Sequence, residues 1–214
     1  MKTVKGPLKV DCIYRRLDDN FLDPKAFFKG SLIGVPGLFK CWRKGNVGIL
    51  NAVGTGIADD KVVYSYVNKM IVYYLGEQPV LNQVETYLCH DEIQKDYVIE
   101  NISKLVVKPA NASGGYGIMI GPKAPKEERE EVIKKIKKNP REYIAQPLET
   151  LSTAPTITKD NIEPRHLDLR PFILSGKSTY VTTGGLTRVA LRKGSTIVNS
   201  SQGGGSKDTM VVDI

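Results

Sequence analysis

Apolar positions along the chain change their period several times, and the changes predict the elements. From Asp59 the period is helical: Val62, Val63, Tyr66, Met70 and Tyr73 or Tyr74 fall on one face, the aspartates supply a cap, and Gly76 marks the stop. Residues Pro125 to Lys138 predict the clearest helix. Acids crowd its start and lysines its end, and Glu130/Lys134 and Glu131/Lys135 stand four apart. A shorter helix is predicted over Asp91 to Glu100. Short strands are predicted at Lys9 to Tyr14, Val47 to Leu50, Gln83 to Leu88 and Lys104 to Lys108. After the second long helix the chain turns β-rich: REYIAQPLE, RHLDLRPFILSG, STYVTTGGLTRVAL and STIVNSS are alternating or apolar runs separated by Gly and Pro. A mixed α+β protein with mostly antiparallel pairing in its last third follows. No internal repeat or low-complexity stretch is present.

Composition narrows the class without choosing a function. With 214 residues, 41% of them hydrophobic, the chain can bury a core as one large domain or two small ones. Lys and Arg outnumber Asp and Glu by 31 to 23, for a net charge of +8 that suits anionic partners such as nucleotides, acidic substrates or nucleic acid. Aromatic residues make up only 7% and form no RNP-like cluster, which argues against nucleic acid. The basic run KKIKK reads more simply as a solvated helix end. Cys12, Cys41 and Cys89 are odd in number and widely spaced, so neither a disulfide framework nor a zinc site is expected. The start, MKTVKGPLKVDC, lacks the apolar segment of a signal peptide, and no apolar run approaches the roughly 20 residues that span a bilayer. A cytoplasmic, membrane-free protein is the expectation.

The stretch VVKPANASGGYGIMIG, Val106 to Gly121, poses the chemical question. Neither G-x-x-x-x-G-K-[ST] nor G-x-G-x-x-G is met anywhere. The loop Ser113, Gly114, Gly115, Tyr116, Gly117 can be a hairpin, or it can bring backbone N–H groups onto phosphate oxygens. Lys108 ends an otherwise apolar strand, where a charge is costly to bury without a partner. Lys61, at a helix start, could reach the same place or be plain surface charge. In RHLDLRP, alternation puts Leu167 and Leu169 on one face and His166, Asp168 and Arg170 on the other. That face is either an ion-paired sheet surface or part of a site. Arg188, then Asn199 and Gln202, follow around a second Gly-rich loop, Gly203 to Gly205. Cations around two glycine loops suit the stabilisation of a transferring phosphoryl group.

The order of these pieces resembles the ATP-grasp superfamily, which ligates a carboxylate to an amine through an acyl phosphate. NAVGTGIADDK resembles the segment with the first nucleotide lysine, here Lys61. VVKP with SGGYG resembles that of the second, Lys108, with the loop over the phosphates. YIAQPLE looks like the segment that cups adenine, with Gln146 and Leu148 nearest the base. LDLRPFIL resembles the D-x-R strand of Asp168 and Arg170, and Arg188 and Asn199 match residues on the phosphate side. IYRRLDDNFLDP, YIAQPLETLST, RHLDLRPF and NSSQGGGSKD together resemble the circularly permuted members, relatives of glutathionylspermidine synthase.

The resemblance implies an α+β, ATP-grasp-like fold of two α/β subdomains. The expected division is an N-terminal α/β segment over 1–97, a small subdomain with the Gly-rich lid over 98–142, and a larger β-rich, partial subdomain over 143–214. It implies ATP and Mg²⁺ as cofactors and an unknown carboxylate and amine as substrates. The family's carboxylate-x-Asn metal pair has no counterpart after Asn199, so the metal ligands are expected outside this chain, on a second polypeptide or an N-terminal half. The alternative is accordingly a non-catalytic or split half that needs a metal-bearing segment.

Overall fold

The computed structural model describes residues 1–112, 115–158, 161–196, 198, 203–210 and 212. In chain order its elements are β1 (Lys2–Thr3), β2 (Gly6–Pro7), β3 (Cys12–Tyr14), α1 (Asp19–Leu22), α2 (Leu38–Arg43), β4 (Gly48–Leu50), α3 (Lys61–Leu75), β5 (Tyr87–Leu88) and α4 (Glu92–Glu100). They continue with β6 (Leu105–Pro109), β7 (Met119–Ile120), α5 (Lys126–Lys138), β8 (Tyr143–Pro147), β9 (Thr153–Ile157), β10 (Ile162–Ser175), β11 (Thr179–Val189) and β12 (Gly205–Met210). Two four-stranded sheets dominate, ordered β5-β8-β6-β7 and β12-β11-β10-β9. Both are antiparallel throughout; among the described residues only β3 and β4 pair in parallel. This is the mixed, mostly antiparallel architecture that the pattern predicts.

The predicted helices form where their caps stand. Asp60 accepts from Val62 N–H at 2.8 Å and starts α3, while Gly76, at φ 67°, closes it by returning its N–H to Val72. Asp91 caps α4 through the Gln94 N–H. On α5 the Glu131/Lys135 pair forms at 2.6 Å. Glu130 departs from expectation and meets Lys126, one turn back, at 3.8 Å.

Three strand readings need correction. The strand expected over Gln83 to Leu88 shrinks to Tyr87–Leu88, because Gln83 and the Val84 N–H are both tied to Tyr64 on α3. Of the glycines expected to form a loop, Gly203 and Gly204 precede β12 and only Gly205 belongs to it, paired to Val189. Strand β9 was not anticipated, since TAPTI holds a proline; the strand lies at a sheet edge, where a missing N–H is tolerated.

The first sheet carries the core. Alternation sends Leu105 and Val107 of β6 and Ala145 of β8 to one side, where they pack with Val98, Ile102 and Ile136 from the α4 and α5 region. Ile144 faces the other side and packs with Val62 of α3, Leu88 and Ala110. The expected division at residue 143 falls at the start of β8, which is hydrogen-bonded to β6. Only Val62 of the predicted apolar face of α3 is fully buried; Tyr73 and Tyr74 stand exposed against each other.

Candidate functional site

Lys108 lies on the α3 side of the first sheet, because it alternates with Val107 and pairs with Ile144. Gln146, two residues further along β8, faces the same side. The Lys108 ammonium donates to Gln146 Oε1 at 2.6 Å, and Gln146 Nε2 donates to Thr86 Oγ1 at 2.8 Å. The amide is buried and fully oriented by these two contacts. Among the described residues the half-buried lysine has this neutral partner and no carboxylate. Desolvation lowers its pKa from the usual 10.5, and the positive charge of Lys61 lowers it further.

Lys61 reaches the same region from the start of α3. Its backbone N–H donates to Ala110 O at 2.9 Å, and its ammonium donates to Ala112 O at 2.7 Å and more weakly to Ala110 O at 3.4 Å. Desolvation lowers its pKa as well, against the opposing pull of Asp60 and Asp59. Asp60 is itself held by Arg141 at 3.1 Å. Desolvation would raise its pKa, but the Val62 N–H and Arg141 outweigh that and leave it below the usual value. The charge of Lys61 depresses Lys108, and both ammonium groups donate to neutral amide oxygens, an arrangement suited to an anion.

The loop that follows Lys108 is described in part. Ser113 and Gly114 lie outside the described residues. Gly115 and Gly117 have φ of 81° and 70°, and Tyr116 is 76% exposed. A Cβ on Gly117 would come within 3.0 Å of the Pro109 ring. Gly121 is tighter: a Cβ there would meet the Ile102 carbonyl at 1.9 Å, so the chain leaves the loop through a gap that only glycine fits. Leu148, one residue beyond β8, is 41% exposed.

The second sheet holds the other anticipated residues. Asp168 and Arg188 are cross-strand partners on β10 and β11, and Arg188 Nε donates to Asp168 Oδ1 and Oδ2 at 2.9 and 3.2 Å while Nη2 also reaches Oδ2. The guanidinium holds the Asp168 carboxyl below its usual range, and the carboxylate raises the arginine in turn. Arg170 is exposed two residues on. His166 Nδ1 lies 2.7 Å from Leu151 O. Asn199 and Gln202 lie outside the described residues.

Sequence reasoning missed a set of buried charges near the N-terminus. Arg15 donates to Asn51 O and Ala52 O, each at 2.7 Å, and meets Asp19 at 2.7 Å. Asp23, almost fully buried, accepts from the N–H groups of Lys25, Gly37 and Phe39 at 2.9 to 3.0 Å. Burial would raise its pKa; the three N–H groups together with Lys25 lower it overall. The only sequence signal was the density of charge in RRLDDNFLDP. Thr86, which orients Gln146, was likewise not singled out.

A cleft of about 480 Å³ opens beside Ala112, lined by Asp18, Asp19, Asp59, Asp60 and Asn111 among others. It adjoins the Lys61 contact without including Lys108. Among the described residues no group of three or more His, Cys, Asp or Glu side chains is arranged to hold a metal ion. No described helix is long and apolar enough to cross a membrane.

The family described as circularly permuted ATP-grasp type 2 matches residues 1–190. An uncharacterised protein of Synechocystis sp. is 57% identical over 213 residues, 99% of this chain and 44% of that protein. An uncharacterised protein of Mycobacterium tuberculosis is 51% identical over 213 residues, covering 99% of this chain and 39% of its own length. A Frankia casuarinae protein named "Putative glutamate--cysteine ligase 2-2" is 48% identical over 203 residues, 95% of this chain and 23% of that protein. The chain thus spans less than half the length of these curated relatives.

Proposed function

We propose, from the premise that this chain belongs to the circularly permuted ATP-grasp type 2 family, that it is the nucleotide-binding part of an ATP-dependent carboxylate–amine ligase. The observation that carries the reading is the convergence of Lys61 and Lys108. A helix start and a strand end bring two ammonium groups of lowered pKa to one region, beneath the root of a glycine loop.

In this reading the two lysines bind the α- and β-phosphates of ATP. The loop of Ser113, Gly114, Gly115, Tyr116 and Gly117 closes on the γ-phosphate and excludes water. Gln146 and Leu148 border the adenine, so that one amide orients both the base and Lys108. Asp168 and Asn199 complete the binding set. A carboxylate oxygen of the substrate attacks the γ-phosphorus and ADP leaves. The amine nitrogen then attacks the acyl carbon and inorganic phosphate leaves, with the amine proton passing to solvent. Arg170 and Arg188 stabilise the charge that develops on the transferring group, and Asp168 aims Arg188. The name of the Frankia relative is that of a ligase, and the matched part is under a quarter of that protein. The four quoted strings further support a likeness to glutathionylspermidine synthase relatives, with a peptide or polyamine as amine.

Calorimetric titration with ATP tests the reading. Lys61→Ala and Lys108→Ala are each expected to weaken binding, and two unchanged affinities would refute the assignment.

A second reading is favoured by the lack of a metal-holding group among the described residues and by the short coverage of the relatives. Here the chain is one half of a site and needs a metal-bearing segment for turnover. Unaided Mg²⁺-dependent ATP turnover by the 214-residue chain would sink it.

A further inference from the structure

The second sheet narrows to a two-stranded ribbon. Strand β9 pairs with β10 only over Ile162 to His166, and β12 pairs with β11 only over Gly184 to Val189. Beyond these limits β10 and β11 continue together to Ser175 and Thr179 with no further strand at either edge among the described residues. An isolated two-stranded ribbon is marginal in water.

Its side chains make that arrangement stranger. Ile173 faces Val181 and Leu174 faces Tyr180 across the pair, so consecutive apolar pairs point to opposite sides. All four are between 51% and 63% exposed, and Leu169 and Phe172 next to them are also more than half exposed. A strand that is apolar on both sides is the pattern of one buried on both sides. An exposed apolar patch with two open edges marks an interaction surface.

We propose that the far half of the β10–β11 ribbon is the docking surface for the polypeptide that the longer relatives carry outside their match to this chain. That polypeptide lies against both faces of the ribbon and pairs with its open edges. The relatives have more than half their length outside the match, ample to cover so small an element. A second copy of this chain would meet the ribbon through one face or one edge and leave the other apolar face in water. The proposal rests on the second functional reading, in which another segment completes the site.

Hydrogen exchange on the 214-residue chain and on the full-length Synechocystis relative tests it. Ribbon amides over 172–183 are expected to exchange at least about 100-fold more slowly in the full-length protein, and the 214-residue chain is expected to be monomeric by light scattering. Ile173→Asp and Leu174→Asp should leave the melting temperature of this chain unchanged, whereas the same changes at the aligned positions of the relative should abolish the protection. Equal exchange in the two wild-type proteins overturns the proposal. A dimer of this chain that either variant dissociates overturns it in favour of a second copy. ATP turnover by the full-length relative, assayed alongside, separates the two ideas: protection without turnover defeats the functional reading and leaves the surface standing, and turnover without protection does the reverse.

Discussion

Replacing Lys108 by methionine keeps the aliphatic stem in the sheet face and removes only the ammonium. Two effects on stability then oppose each other. Gln146 Oε1 loses a donor at 2.6 Å, which costs about 1 kcal/mol for a buried acceptor. The chain also escapes burying a positive charge beside Lys61, which desolvation and like-charge repulsion already penalise. The net change should be small, and 1 kcal/mol corresponds to only about 2–4 °C in melting temperature for a chain of this size. Binding has no such compensation. A hydrogen bond from an ammonium to a phosphate contributes about 2 kcal/mol. With about 1.4 kcal/mol per factor of ten, the ATP dissociation constant should rise roughly 30-fold. Scanning fluorimetry checks the first figure and isothermal titration calorimetry with MgATP the second. A folded Lys108→Met protein that binds ATP like the wild type would refute the placement of a phosphate at this lysine.

Other outcomes follow from the same geometry. Both lysines have pKa values lowered from 10.5, so the ligand-free fold holds fewer protons than the unfolded chain just below that pH, and its stability rises there with pH. ATP reverses the shift: binding should take up protons and weaken as pH rises through the lowered values, and titrations in buffers of different ionisation enthalpy should reveal the uptake. Gly121→Ala should cost about 3 kcal/mol, since the new methyl meets two carbonyl oxygens, and thermal unfolding measures it. Asp23→Asn should cost about 2–3 kcal/mol because an amide cannot accept all three N–H bonds. The wild-type carboxylate contributes above pH 3.8 and loses that contribution as pH falls through its lowered folded value, so the variant's acid unfolding curve should be flatter there.

Local features were legible and long-range ones were not. Asp60, Gly76 and the charge gradient of Pro125 to Lys138 act within a turn or two of themselves, and they fixed α3 and α5 to within a residue or two. Strand β10 extends through Asp168 and Arg170 as the alternation requires, and Asp168 is ion-paired with Arg188. That this pair forms at all depends on the β10–β11 register, which no spacing within either strand reveals. The Lys108–Gln146 contact likewise joins residues 38 apart through the β6–β8 pairing. Strand β9 stayed hidden because an edge strand can carry Pro155 and need not alternate cleanly. Buried Arg15 and Asp23 bond mostly to backbone groups, whose positions no residue type announces.

The double use of Lys61 has a mechanical side. An ammonium owns three N–H bonds, and here one is spent firmly and one weakly on the carbonyls of Ala112 and Ala110, the last residues before the glycine loop. The same three bonds are all that the side chain can offer an incoming anion. Whatever draws the ammonium outward therefore loosens the root of the loop, and whatever pulls the loop away frees the ammonium. Lys61 thus ties the place proposed for the anion to the residues from which the glycine loop departs, so one side chain answers to both.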